Sequence, residues 1–113
     1  MSAVGIHDHG AITARLREQA GADRLRITVH AHQEMVEEDI SLDEVREVLL
    51  AATVVENYPE HKRGPCCLVC RRTGRGRFVH VVCTTALELV IIITVYEPKL
   101  PKWMTPFERG RTG

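Results

Sequence analysis

The chain has 113 residues, of which 44% are hydrophobic and 27% charged, and its formal net charge is zero. A chain of this size forms one domain around one core, and this composition excludes wholesale disorder and fibrous repeats. The longest apolar run, Leu87 to Val95, is interrupted by Glu88 and is shorter than the roughly 20 residues of a spanning helix, so no membrane association is expected.

Residues 1–10 read as a flexible N-terminus without an export signal, which predicts a cytoplasmic protein whose four cysteines are thiols. Ala11 to Ala20, with Ile12 and Leu16 four apart and Gly21 as a stop, predicts a short amphipathic helix. Leu25 to Val29 alternates apolar and polar residues and suits a short strand. His30 to Glu38 reads as a helix carrying Ala31 and Met35 on one face and His30, Glu34 and Glu38 along a neighbouring edge. Ser41 and Glu44 have capping-box spacing ahead of Leu42, Val45, Val48 and Leu49, which predicts another helix.

Beyond Ala52 the period changes to two. Thr53 to Tyr58 is a strand, His61 to Pro65 a polar loop, and Cys66 to Arg72 and Arg77 to Thr85 flank a Thr73-Gly74-Arg75-Gly76 turn. Leu87 to Glu97 is the last strand, and Val90 to Ile93 is apolar on both faces, which places it inside the sheet or beneath a helix. Pro98, Pro101 and Pro106 predict an irregular strap from Lys99 onward. The expected fold is α+β, with helices in the N-terminal half packed on a mainly antiparallel four-stranded sheet. The domain runs over residues 11–105 and leaves 106–113 as a flexible tail.

Charge is unevenly spread. Residues 31–60 hold nine acidic side chains and one basic one, Arg46, whereas residues 61–83 hold six basic side chains and no acid. A basic stretch can contact phosphates and an acidic one a basic partner, and both also serve as plain solvated surface.

Thr28-Val29-His30-Ala31, Met35, Glu37, Ile40-Ser41, Glu56-Asn57-Tyr58-Pro59, Gly64 to Leu68, Arg77 to Val82, Ile93 to Pro98 and Lys102-Trp103 together resemble the domain-of-unknown-function family numbered 4258 over roughly residues 25 to 105. The resemblance implies a RelE-like fold, a group that includes bacterial toxins that cleave messenger RNA, and it resembles the motility-quorum-sensing type of toxin. It further implies a type II toxin–antitoxin pair, in which a small zinc-finger antitoxin is the protein partner and RNA the substrate. Many members carry arginines where this chain has Glu34 and Glu38, which reverses the charge of one helix edge and suggests a changed substrate or a basic partner.

Metal-independent RNA cleavage needs a base, an acid and a cation for the phosphorane. His80, His30, Arg77 and Tyr96 are the catalytic candidates, and Lys99, Lys102, Arg72, Arg75 and Trp103 the substrate-binding ones. His80 is either a proton-transfer group on the sheet's open face or a packed, hydrogen-bonded core residue, and strand alternation puts Arg77 on the opposite face. His30 begins a helix, where the dipole disfavours a charged imidazole, and its other reading is capping or packing. Tyr96 either meets a ligand or plugs the sheet's end, and Trp103 either stacks on a base or clips the tail to the core. Arg71, Arg72, Arg75 and Arg77 cluster around the hairpin turn, as phosphate ligands or as solubilising charge.

Cys67 and Cys70 have C-x-x-C spacing with His80 and Cys83 downstream. On a strand the two thiols point to opposite faces, so buried thiols are expected rather than zinc, and no cofactor is expected. His30, His32 and Glu34 make a weak ligand set, and His7 and His9 fall in the terminus. The alternative to a ribonuclease is a non-catalytic protein-interaction module whose acidic helices and basic hairpin dock a small zinc-finger partner. A third reading is a zinc-dependent fold.

Overall fold

The computed structural model describes residues 8–110 except Arg63 and Leu87. The flexibility expected of residues 1–7, with His7, and of 111–113 lies outside the described residues.

Helix α1 (His9–Gly21) starts earlier than its apolar period predicts because Asp8 caps it, its Oδ1 accepting the N–H of Gly10 at 2.9 Å and of Ala11 at 3.3 Å. Residues 8–10 are therefore the helix entry and not a loose end. Helix α2 (Val29–Glu38) is capped by Thr28, whose hydroxyl accepts the Ala31 N–H at 3.1 Å. Helix α3 (Leu42–Leu50) has the expected capping box, with the Ser41 hydroxyl accepting the Glu44 N–H at 3.1 Å and the Glu44 carboxylate accepting the Ser41 N–H at 3.3 Å.

The sheet has five strands and is mixed, where four mainly antiparallel strands were expected. Strands β1 (Leu25–Ile27), β2 (Thr53–Tyr58), β3 (Cys66–Arg72), β4 (Phe78–Thr84) and β5 (Val90–Tyr96) lie in the order β1-β5-β4-β3-β2. The added member is β1, which runs parallel to β5 with Leu25 opposite Val90 and Ile27 opposite Ile92. Strand β5 is interior, between β1 and β4, which accounts for its apolar character on both faces.

Val79, Val81 and Cys83 of β4 and Val90, Ile92 and Val95 of β5 join Leu16, Met35, Val48 and Leu49 in the core beneath the helices. The opposite face carries a second layer that the prolines conceal. The tail is a hairpin of β6 (Trp103–Thr105) and β7 (Glu108–Arg109), not an irregular strap. Pro101 and Pro106 occupy the turns flanking β6, where a missing N–H does no harm.

The hairpin is fastened at several points. Phe107 meets Phe78 edge to face at 5.8 Å, and Trp103 is buried against His80. Arg109 grips Glu56 with two hydrogen bonds of 2.8 and 2.7 Å. Glu56 reaches that face because β2 has a bulge between Val54 and Glu56, which places Val54 opposite Val69 but Glu56 opposite Leu68. Among the described residues no helix is long and apolar enough to cross a membrane.

Candidate functional site at the open edge of the central strand

Strand β5 outlasts its neighbour β1, so its edge beyond Ile92 has no strand partner. Side chains of α2 and its cap take that place. The Thr28 hydroxyl donates to the Ile93 carbonyl at 3.3 Å, the Glu34 carboxylate accepts the Val95 N–H at 2.9 Å, and the Glu38 carboxylate accepts the Glu97 N–H at 2.9 Å. The spacing explains the fit. Four helical residues rise about 6 Å, and two strand residues advance about 6.6 Å. Arginine, which only donates, could not accept these N–H groups, so the acidic edge has a structural cause.

An open cleft of about 370 Å³ runs along this edge, with Glu34 and Glu38 on one wall, Thr94, Tyr96 and Glu97 on the floor, and Lys99, Lys102 and Trp103 on the other wall. His30, whose side chain is 65% exposed, stands at its rim with Nε2 3.4 Å from the Glu34 carboxylate. The Lys102 ammonium lies over the Tyr96 ring, 5.3 Å from its centroid.

Behind Tyr96 is His80, which is fully buried. Its Nε2 is 2.6 Å from the Pro106 carbonyl and its Nδ1 is 3.0 Å from the Tyr96 hydroxyl. A carbonyl can only accept, so Nε2 carries the proton and Nδ1 is a bare acceptor. The Tyr96 hydroxyl therefore donates to His80, while its oxygen accepts the Trp103 indole N–H at 3.1 Å. The result is a one-way relay from indole to phenol to imidazole. Burial, the largest influence, holds the His80 pKa below its ordinary value, in keeping with a neutral ring, and burial raises that of Tyr96. His80 is packed and hydrogen-bonded, and the buried Trp103 clips the tail to the core.

Other candidates go elsewhere. Arg77 is on the helix side, where it donates to both oxygens of the buried Glu44, at 3.0 Å from Nε and 2.7 Å from Nη2, and to the Glu38 and Asp39 carbonyls. Arg75 pairs with Asp39 at 3.1 Å and with Glu44 at 3.2 Å. The basic hairpin thus docks on the chain's own acidic helices, which cancels much of the asymmetry seen in the sequence, while Arg71 and Arg72 stay exposed. The hydrogen bond from Arg77, together with those from Thr73 and Ser41, overcomes burial and lowers the Glu44 pKa to about 2. Spacing alone marks Glu44 as a cap, and its role as the anchor of two arginines depends on contacts that have no local signal.

All four cysteines are free and buried. Cys67 faces the helices opposite Cys83, and Cys70 pairs with His80 on the other face, so the C-x-x-C thiols diverge. Burial pushes the Cys70 thiol up to about 12, and hydrogen bonding with Cys67, followed by burial, pushes Cys83 well above its ordinary value. Among the described residues no three His, Cys, Asp or Glu side chains converge as metal ligands.

The family described as Domain of unknown function (DUF4258) matches residues 27–97. No curated protein and no solved structure matches the chain.

Proposed function

We propose, from the premise that this chain belongs to the DUF4258 family, that it is a toxin-type, metal-independent endoribonuclease whose RNA site is the cleft along β5. The observation that carries this reading is the convergence there of Tyr96 backed by His80, the exposed His30 with Glu34, and the cations Lys99 and Lys102. His30, oriented by Glu34, is the group able to take a ribose hydroxyl proton, the two lysines neutralise the phosphorane, and Tyr96 donates to the departing oxygen by turning its one O–H away from His80 Nδ1. His80 acts through Tyr96 as a positioning residue, and Arg77, Arg75 and Trp103 support the scaffold. A RelE-like placement of the helices on one face of the sheet is part of the same proposal, as is pairing with an antitoxin in the cell. The test is incubation of the purified full chain with RNA, together with growth after induction. Cleavage and arrest support the reading, and intact RNA with normal growth removes it.

One observation favours a second reading, a protein-interaction module without catalysis. Glu34, Glu38 and Glu97 give the cleft three carboxylates against two lysines, a balance better suited to a basic protein segment, such as part of a small zinc-finger partner, than to a polyanion.

A further inference from the structure

The two parts of this sheet edge are treated differently. Beyond Ile92 it is sealed by Thr28, Glu34 and Glu38, but β1 has no strand on its outer side among the described residues. Arg24 and Thr28 bond toward β5, the Arg24 carbonyl accepting the Val90 N–H at 3.0 Å and the Thr28 N–H donating to the Ile92 carbonyl at 3.1 Å. By alternation the backbone groups of Leu25 and Ile27 point away from the sheet.

Beside them lies a mainly apolar groove of about 540 Å³ to which Ile27 contributes, with Met35, Val36, Ile40 and Leu42, and with His32 and Asp39 as its polar members. Val36 is 68% exposed there and Val29, two turns earlier on the same helical stripe, 75%. This groove is on the flank of α2 opposite the Glu34 and Glu38 edge, so it is separate from the cleft. On the other face of β1, Arg24 and Arg26 are exposed and make no ion pair among the described residues.

We infer that the outer edge of β1 is a docking site for one extended segment of a partner protein, which adds as a sixth strand and alternates apolar with acidic residues. Its backbone would pair with Leu25 and Ile27, its apolar side chains would enter the groove, and its carboxylates would face Arg24 and Arg26. A second copy of this chain is a poor occupant. Antiparallel self-pairing centred on Arg26 or Leu25 sets Arg26 opposite the copy's Arg26 or Arg24, like charges in direct opposition, and a register centred on Ile27 runs into α2. A three-residue strand with Arg26 at its centre and Arg24 just before it resists indiscriminate sheet growth, so the edge selects for charge.

The site is tested by titrating the isotope-labelled full chain with a blocked heptapeptide that alternates valine and glutamate, and with the same peptide carrying lysine for glutamate. The expected result is saturable shifts and slowed exchange at the Leu25 and Ile27 amides. The lysine peptide should bind about tenfold more weakly. Arg26→Glu reverses that preference, and Val36→Asp, a change at an exposed position, weakens both peptides. The inference is overturned if millimolar acidic peptide leaves those amides unchanged, if Arg26→Glu does not alter the preference, or if the chain dimerises through this edge.

Discussion

The Glu34 carboxylate accepts the backbone N–H of Val95 at 2.9 Å, as Glu38 does for Glu97 one helical turn on. These two side chains stand in for a missing strand. Truncating Glu34 to alanine should cost about 1–3 kcal/mol, the penalty of an orphaned donor on the buried Val95, and should speed hydrogen exchange at the Val95 amide while sparing Val81. Glu34→Gln, which keeps an acceptor oxygen, should lose far less. Equal losses from both variants would mean that charge and not hydrogen bonding matters at this edge.

His80 should be observed as the neutral Nε2–H tautomer at neutral pH by nitrogen chemical shifts, because Nε2 must donate to the Pro106 carbonyl. Its pKa is held below the ordinary value of 6.5 mainly by burial. The unfolded chain therefore takes up this proton first, so its contribution to stability is full above pH 6.5 and is lost as the pH falls below that value. Denaturation curves of His80→Gln should lack this part of the acid limb. An Nδ1–H tautomer would contradict the relay.

Glu44, nearly inaccessible and gripped by Arg77 and Arg75, has its pKa lowered from 4.5 to about 2. A depressed carboxylate contributes stability above its unfolded pKa and loses it as pH falls toward the folded one, so this loss falls between about 4.5 and 2. Glu56, lowered to about 2 chiefly by its hydrogen bond from Arg109, titrates in the same window. Glu44→Gln should destabilise the protein by about 2 kcal/mol at neutral pH, since it takes the buried anion away from the partly buried Arg77 and leaves the half-exposed Arg75 to water. It should also make acid unfolding shallower. An unchanged midpoint would count against Glu44 as the anchor of the basic hairpin.

Gly110 packs so tightly on the tail that an added Cβ would stand 1.7 Å from the Pro101 carbonyl oxygen, a backbone atom that cannot swing aside. Gly110→Ala should therefore lift the β6–β7 hairpin and red-shift the emission of the buried Trp103, while far-UV dichroism changes little. Gly21→Ala, where nothing lies within 4 Å, should leave that emission alone.

Much of this architecture is legible locally. Period and capping chemistry mark α2, α3 and the β3–β4 hairpin, and the double-sided apolar run of β5 marks an interior strand. Alternation alone separates the thiols of Cys67 and Cys70. What is not legible depends on partners distant in sequence. Parallel pairing of Leu25–Ile27 with β5 leaves no turn between the strands to read. Pro101 and Pro106 look like breakers until their turn positions are known. Arg75 and Arg77 look like free phosphate ligands until Glu44 and Asp39 are seen to claim them. The cleft is partly legible, since Tyr96, Lys99 and Lys102 are candidates on sequence grounds, but there Glu34 and Glu38 point to a changed substrate or a basic partner and give no sign that they cap the N–H groups of Val95 and Glu97.

The most direct test of the catalytic cleft is RNA cleavage by the metal-free full chain, compared with Tyr96→Phe and with Lys102→Ala, a change at an exposed position. The account predicts chain scission without added metal, lowered about 100-fold in Tyr96→Phe and clearly reduced in Lys102→Ala, with both variants folded by dichroism. Cleavage equal to the parent in both variants, or no cleavage by the parent, would contradict it.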